Sequence, residues 1–222
     1  MKKRNLMAEI IVALDGLTGE SALRLTRGLG PSLSWVKVGL ELYTREGPSI
    51  VRSLKEQGYR VFLDLKFHDI PATVFGAVRA AGETGADLIN VHAAGGEAMM
   101  RRAHEAKPPE ARVLAVTVLT SEPAGGRLVV ERALLARECG LDGVVCAAAE
   151  AADVKRACGV DFLCVTPGIR PAGGARDDQA RVSTPAAAAA GGSDLLVVGR
   201  AITRADDPRA ALESMQEEIR EV

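Results

Sequence analysis

Aromatic side chains are scarce in this chain, and neither sign of charge is in excess. Phe, Tyr and Trp make up 3% of the 222 residues, which leaves little material for platforms that stack nucleic-acid bases. Lys plus Arg is 28 and Asp plus Glu is 29, so the formal net charge of −1 provides no field that attracts nucleic acid or an anionic membrane. We therefore expect no nucleic-acid and no membrane partner, but small molecules or further copies of the chain.

Long apolar runs and paired cysteines are also absent. No apolar stretch approaches the length needed to cross a membrane, and the run 10–14 behind the basic N-terminus is too short for a signal-peptide core. The cysteines show no CxxC pair and no metal-ligand spacing: Cys139, Cys146, Cys158 and Cys164. We interpret them as buried thiols of a reduced compartment, and we expect a cytoplasmic protein.

Short apolar segments alternate with amphipathic helical patterns along the chain. The predicted helices include 49–57, 97–106, 129–139 and 208–219. Eight segments are predicted as strands: 9–15, 34–40, 60–66, 86–92, 112–120, 143–148, 161–169 and 195–200. This alternation predicts an α/β fold, a single (β/α)8 TIM barrel that forms one domain over residues 1–222, with a doubly wound sheet of fewer strands as the alternative.

Three charged residues follow a buried-type strand in the segment RVFLDLKFHDIPATV, residues 60–74. Side chains alternate along a strand, so Asp64 and Lys66 share one face. Asp69 is followed by Ile70-Pro71, which ends the strand segment, and this proline suits the first turn of a helix. A plain salt bridge at a strand end is the alternative. However, buried charges are costly unless they are paired, and an ammonium between two carboxylates is typical of a network held for chemistry.

Further polar residues lie at the ends of other predicted strands, where the active sites of such barrels are found. Asp15 ends the first strand, and Lys37 points to the opposite side from its two valine neighbours in the second. A lone lysine in a strand is more often an edge residue, but the aspartates on the neighbouring strands favour a shared site. Thr120 and Ser121 end the fifth strand and offer hydroxyl groups to a polar ring edge, with a turn cap as the alternative.

The last two predicted strands run into segments that favour an anion. The seventh leads through TPGIR, residues 166–170, into the Gly-rich polar loop PAGGARDDQARV, which is typical of a lid or binding loop. The eighth ends in Gly199 and Arg200, where close backbone approach and a bidentate guanidinium are available together. Because the loops after strands seven and eight form the usual phosphate site of these barrels, we expect a phosphate here.

The histidines predict no metal site. His68 and His104 have no partner residues at metal-ligand spacing, and His92 is more typical of a structural histidine. The sequence also contains no dinucleotide fingerprint and no Ser-His-Asp order. None of these patterns therefore indicates a site of this kind.

Together these residues resemble the orotidine 5′-phosphate decarboxylase family over nearly the whole chain. The most specific part is DLKFHDIP at residues 64–71. The supporting residues occur in the family's order: Asp15, Lys37, TPGIR at 166–170, DDQ at 177–179 and GR at 199–200. The resemblance implies a cofactor-independent homodimeric lyase that converts orotidine 5′-phosphate to UMP in pyrimidine biosynthesis.

The resemblance also implies a role for each matched residue. Lys66 is implied to donate the proton to C6 of the product, flanked by Asp64 and Asp69. Asp69 is implied to reach across the dimer interface into the partner's site, beside Ile70 and Thr73. The other matched residues are implied to bind the substrate: Asp15 and Lys37 at the ribose hydroxyls, Thr120 and Ser121 at the ribose and pyrimidine, and Arg170, Gln179, Gly199 and Arg200 at the phosphate, with Gln179 bridging toward the base.

Two other functions stay open at this point. A related barrel decarboxylase that acts on a keto-sugar phosphate with Mg²⁺ shares the Asp-x-Lys-x-x-Asp segment, although Lys37 and the GIR and DDQ segments favour the nucleotide enzyme. A non-catalytic barrel that binds a phosphate ligand is the other alternative. Such a protein tolerates the loss of Lys66, whereas this chain keeps every charge of the network.

Overall fold

The computed structural model describes residues 7–119, 126–171 and 182–222 of the chain. Parallel strands pair in chain order, and the last pairs with the first to close a barrel. The strands are β1 (Glu9–Ala13), β2 (Trp35–Gly39), β3 (Arg60–Phe67), β4 (Leu88–His92), β5 (Arg112–Val116), β6 (Gly143–Val145), β7 (Leu163–Thr166) and β8 (Leu195–Val198). The predicted (β/α)8 barrel is confirmed, and the doubly wound alternative is wrong because such a sheet stays open.

Helices connect the strands and cover the outside of the barrel. They are α1 (Gly19–Leu29), α2 (Leu40–Glu46), α3 (Ser49–Glu56), α4 (Pro71–Gly82), α5 (Gly96–Ala106), α6 (Gly126–Glu138), α7 (Ala148–Cys158), α8 (Pro185–Ala190), α9 (Arg200–Thr203) and α10 (Pro208–Arg220). Within the three described ranges, none of these helices has the length and apolar character that a membrane span requires.

Most observed strands are shorter at their carboxyl ends than the sequence predicts. β1 ends before Asp15 and β8 before Arg200, so both polar residues lie beyond the hydrogen-bonded ladder. The chain turns outward there toward the next helix, and Gly16 makes one such turn with a φ of 75°, which favours glycine. β4 ends at His92, as predicted, and β3 runs one residue further than predicted, to Phe67, which keeps Asp64 and Lys66 inside the strand.

Apolar side chains fill the barrel below its carboxyl-terminal mouth. Strand residues alternate between the barrel interior and the helix-facing side. The interior cluster includes Phe62, Leu114 and Val197, whereas Val36 and Val38 pack toward the helices. Each large apolar side chain buried in this way contributes about 1.5–3 kcal/mol to stability. Because the interior is occupied by these side chains, the polar residues collect at the mouth.

A carboxylate clamp repeats at the opposite, amino-terminal end of the barrel. In each clamp, an aspartate directly before an even-numbered strand accepts a backbone N–H from the preceding strand. It also accepts an ammonium from the helical segment that lies before that preceding strand. Asp87 accepts the Val61 N–H at 2.6 Å and Lys55 Nζ at 2.7 Å. The arrangement recurs at Asp142 with Val113 and Lys107, and at Asp194 with Cys164 and Lys155. These clamps join neighbouring strands far from the mouth.

Candidate active site

Charges of alternating sign form a connected chain at the mouth of the barrel. Lys37 Nζ lies 2.7 Å from Asp15 Oδ2 and 3.2 Å from Asp64 Oδ2. The other oxygen of Asp64, Oδ1, lies 2.7 Å from Lys66 Nζ. The structure therefore brings together the two lysines and two of the aspartates that the sequence places at the ends of β1, β2 and β3.

Burial and neighbouring charges shift the pKa values of Lys37 and Asp64, the two central groups of this row of charges, in opposite directions. Lys37 is 7% exposed and Asp64 is 8% exposed. Burial by itself lowers the pKa of Lys37, but the negative charges of Asp64 and Asp15 outweigh it, so the pKa is raised. Burial likewise raises the pKa of Asp64, yet Lys37 and Lys66 outweigh it and the pKa is lowered. Both groups are consequently charged at neutral pH.

The backbone of Lys66 adopts an uncommon conformation. Its φ of 52° is the only positive φ of a non-glycine residue in the described part of the chain. For a residue with a side chain this left-handed region costs roughly 1–2 kcal/mol. Asn90 of β4, which is fully buried, accepts the Lys66 N–H through Oδ1 at 2.8 Å and donates from Nδ2 to Asp64 Oδ1 at 2.7 Å.

Helix α2 holds the loop that carries Asp15. Glu41 accepts the N–H of Gly16 at 3.1 Å, and Glu46 accepts the N–H of Gly19 at 2.8 Å. These backbone contacts fix the first turn of the loop after β1. Asp15 itself is half exposed, so its position depends on this loop and on the bond from Lys37.

A cavity of about 420 Å³ lies over the charge chain. Asp15, Lys37, Asp64 and Lys66 line one part of it. Other lining residues come from the segments after β7 and β8, and they include Gly168, Arg170, Gly199, Arg200 and Arg204. The cavity thus combines a region of paired charges with a cationic region of three guanidinium groups, an arrangement that suits an anionic polar ligand.

The segment that carries Arg170 is tied to the start of the α8 connection. The Arg170 N–H donates to Ser183 O at 3.0 Å, and the Ser183 N–H donates to Gly168 O at 3.1 Å. Residues on both sides of the predicted binding loop therefore meet at the rim of the cavity. The predicted site residues Thr120, Ser121 and Gln179 lie outside the described residues.

Asp69, Ile70 and Thr73 take a different position from the other predicted site residues. All three are exposed, and they do not belong to the described lining of the cavity. The Asp69 carboxylate accepts the N–H of Ile70 at 2.7 Å. Ile70 is 65% exposed and Leu40, at the start of α2, is 57% exposed. Leu40 follows β2, and Asp69, Ile70 and Thr73 follow the neighbouring strand β3, so all four lie at the mouth end of the barrel; we call them the rim patch.

Sequence reasoning missed three residues of the site. Asn90 stands in an otherwise apolar strand, LINVH, and an interior polar residue in such a strand is the signal that could have found it. Gly39 lies directly against Asp15 and Lys37, and Arg204 lines the cavity near Arg200. A glycine at the end of β2 and an arginine after α9 carry no pattern that points to a site.

A family model matches most of the chain. The model described as the orotidine 5′-phosphate decarboxylase / HUMPS family matches residues 8–215. The chain belongs to this family. The resemblance carried by the DLKFHDIP segment and its supporting residues is therefore confirmed at the level of the family.

Curated members of the orotidine 5′-phosphate decarboxylase / HUMPS family are similar over nearly their whole length. A protein named orotidine 5′-phosphate decarboxylase from Alkalilimnicola ehrlichii is 52% identical, with 96% of each chain covered. A protein of the same name from Chromobacterium violaceum is 50% identical, covering 95% of this chain and 91% of that protein.

Solved structures share the fold. The orotidine 5′-phosphate decarboxylase from Lactobacillus acidophilus is 38% identical, with a TM-score of 0.83 and coverage of 96% of this chain and 99% of that one. The enzyme of the same name from Pyrococcus horikoshii is 28% identical, with a TM-score of 0.82 and coverage of 96% and 100%. The barrel and its closure are thus common to relatives of quite different sequence.

Proposed function

We propose that this protein decarboxylates orotidine 5′-phosphate to UMP, as the last step of UMP biosynthesis, without a metal or organic cofactor. The observation that carries the proposal is the Asp15–Lys37–Asp64–Lys66 chain, which shares one cavity with Arg170 and Arg200. Close relatives of nearly equal length that are named for this reaction support the same assignment.

The chemistry requires a cation where negative charge develops. When the bond between C6 and the carboxylate breaks, CO2 leaves and the electron pair stays on C6. The Lys66 ammonium stabilises this charge and then donates its proton to C6, which gives UMP and a neutral amine that solvent reprotonates. Asp64, at 2.7 Å from Lys66 Nζ, holds the ammonium in place and favours its charged form.

The remaining charges bind the rest of the substrate. In our proposal Asp15 and Lys37 hold the ribose hydroxyls, while Lys37 also fixes the second oxygen of Asp64 at 3.2 Å. Thr120 and Ser121 are assigned to the ribose and pyrimidine. The phosphate is assigned to Arg170, Gln179, Gly199 and Arg200, and we add Arg204 because it lines the same cavity. Binding energy from the phosphate then orients the reacting ring over Lys66.

A second copy of the chain completes the site in this proposal. Asp69 reaches the partner's Lys66 across a homodimer interface that includes Ile70 and Thr73. The rim patch supports the proposal, because the apolar side chains of Leu40 and Ile70 are exposed next to the mouth. Covering them with a partner subunit stabilises the dimer.

We further propose one barrel domain over residues 1–222 that works in the cytoplasm. The closed barrel, with strands drawn from residues 9 to 198, supports the domain assignment. The cytoplasmic assignment is supported by the four cysteines, which are buried and unbridged.

Ultraviolet absorbance of the purified protein with orotidine 5′-phosphate, in the presence of EDTA, tests the proposal. We expect the substrate absorbance to fall as UMP forms, and the Lys66→Ala variant to remain a folded dimer without turnover. Turnover by that variant would show that the reaction does not require Lys66. If the wild-type protein leaves orotidine 5′-phosphate unchanged but converts a keto-sugar phosphate with Mg²⁺, the substrate assignment is wrong. Tight UMP binding without turnover of either compound supports the binding-protein alternative.

A further inference from the structure

We infer that Asn90 is a positioning residue that sets where the Lys66 ammonium stands, an inference that rests on the proposed function. Asn90 lies in β4 and is fully buried. Its side chain bonds both to the backbone of Lys66, at 2.8 Å, and to the carboxylate of Asp64, at 2.7 Å. It therefore contacts the backbone of one charged residue and the side chain of its partner.

The chemistry of these two contacts determines the orientation of the amide. The backbone N–H of Lys66 can only donate, so it requires the carbonyl oxygen of Asn90. The ionised carboxylate of Asp64 can only accept, so it requires the NH2 group. An amide meets both requirements at once. An apolar side chain meets neither, and a carboxylate meets only the first.

The strand pairing explains why this position needs a side-chain bond. Between β3 and β4 the register passes from Leu63 opposite Ile89 to Phe67 opposite Val91. Four steps along β3 thus correspond to two steps along β4, and the segment with Asp64 and Lys66 bulges away from regular pairing. Asn90 is the β4 residue inside this interval. Its carbonyl oxygen replaces the ladder acceptor that the Lys66 N–H lacks.

Two consequences follow for the reacting group. The bond from Asn90 stabilises the positive φ of Lys66, 52°, which turns the side chain toward the cavity. Asp64 is held at both oxygens, because Oδ1 accepts from Asn90 and Lys66 while Oδ2 lies 3.2 Å from Lys37. Loss of the amide frees the Lys66 backbone and one side of Asp64 together.

Kinetics of the Asn90→Ala variant test the inference. We expect kcat to fall about 30-fold or more, since small misplacements of a catalytic group are costly, while KM changes by less than about threefold. The matched control is Thr117→Val, which removes another buried hydrogen bond, from the Thr117 hydroxyl to Val145 O at 2.9 Å. The control is expected to lose thermal stability but to keep kcat within about twofold.

The isosteric variant Asn90→Asp adds a second measurement, the pH dependence of activity. A purely structural role of Asn90 would not change this dependence. When the introduced carboxyl group is protonated, its O–H donates to Asp64 and its other oxygen accepts the Lys66 N–H. When it is ionised, it repels Asp64. The charged groups on this side are Asp64 and Lys66 of β3, with Lys37 beyond them, and β5 presents the apolar Leu114 opposite.

The sign of the pH effect follows from these neighbours. Burial and the charge of Asp64 raise the pKa of the introduced carboxyl group, and the opposing charges of Lys66 and Lys37 are already paired with Asp64, so the productive protonated form is favoured as pH falls. The activity of Asn90→Asp relative to wild type should therefore rise from mildly alkaline to mildly acidic pH. A flat ratio overturns the inference, as does a loss of kcat in Asn90→Ala no larger than that of the Thr117→Val control.

A crystal structure of Asn90→Ala separates this inference from the proposed function. If the wild-type protein does not turn over orotidine 5′-phosphate, the proposed function fails, and the structure alone then decides the role of Asn90. We expect Lys66 to leave its φ of 52° and to lose its contact with Asp64. An unchanged Lys66 contradicts the inference. Should Asn90→Ala not fold, the structure of Asn90→Asp at alkaline pH supplies the same comparison.

Discussion

Gly39 leaves the space that the carboxylate of Asp15 occupies. A Cβ atom placed on Gly39 would lie 2.1 Å from Asp15 Oδ1 and 2.9 Å from Lys37 Nζ. Glycine at the end of β2 is therefore required by the contact between these two side chains. Its own φ of −92° is open to any residue, so backbone conformation is not the reason.

The Gly39→Ala variant should separate Asp15 from Lys37. We expect KM for orotidine 5′-phosphate to rise and kcat/KM to fall about 10- to 100-fold, because the ribose-binding pair is displaced. Steady-state kinetics check this. Gly28→Ala in α1 is the matched control, since its added Cβ meets nothing within 4 Å, and it should gain about 0.5–1 kcal/mol of stability at unchanged kcat/KM. Wild-type kinetics in Gly39→Ala would mean that the cavity does not depend on this contact.

The lowered pKa of Asp64 predicts a specific acid dependence of stability. The group contributes stability that is present above its unfolded value, near 3.8, and that is lost as pH falls through the lower folded pKa. The difference in unfolding free energy between wild type and Asp64→Asn should thus be constant around neutral pH and should shift against the wild type in acid. Denaturant titrations over a pH series measure it. A difference that does not change in acid contradicts the assignment.

Lys37 predicts the opposite dependence at alkaline pH. Its pKa is raised, so its contribution is fully present below the unfolded value of 10.5 and is lost as pH rises through the higher folded pKa. The Lys37→Met variant should therefore approach the wild type in stability only at strongly alkaline pH. The same titrations check this, and a gap that closes already near neutral pH would show that Lys37 is not held charged.

Arg200 and Arg204 should both contribute to phosphate binding, but unequally. We expect Arg200→Gln to weaken UMP binding about 10- to 100-fold, as the loss of a charge-assisted hydrogen bond implies. Arg204 is more exposed, so Arg204→Gln should cost less than about tenfold. Calorimetry with UMP and with uridine measures the effects, because only UMP carries the phosphate. Arg209→Gln on α10 is the control, and equal losses for uridine would place the arginines away from the phosphate.

Mixing two inactive variants tests whether Asp69 acts across the interface. Lys66→Ala and Asp69→Ala dimers should each show little turnover. After subunit exchange, roughly a quarter of wild-type activity should return, because half of the dimers are mixed and each mixed dimer has one complete site. If Asp69 serves its own subunit instead, exchange restores nothing. Analytical ultracentrifugation confirms that both variants remain dimeric.

The carboxylate clamps predict stability effects without catalytic ones. Asp142→Asn should lower the unfolding free energy by about 1–3 kcal/mol, because the Val113 N–H and Lys107 lose a charged acceptor. The control Glu217→Gln removes a surface pair with Arg220 and should cost less than about 0.5 kcal/mol. Both variants should keep wild-type kcat and KM. A change in KM for Asp142→Asn would contradict the separation of the two ends of the barrel.

Local sequence determined the existence and order of the barrel elements. A period of two in the strands and a helical period between them depend only on neighbours along the chain. They also put Lys37 on the opposite face from Val36 and Val38, which the structure confirms. The family was indicated by a resemblance, carried by the DLKFHDIP segment and its supporting residues, which is likewise a property of the sequence alone.

Tertiary structure alone decided how the strands stand against one another. Gly39 is needed because Asp15, which follows a different strand, occupies the space beside it. Asn90 is needed because β3 bulges where it pairs with β4. The predicted carboxyl ends of most strands lie too far along the chain for the same reason. Ladder pairing stops where the neighbouring strand turns away, and the residue types at that point do not show it. Register is a relation between distant segments, and no pattern within one segment contains it.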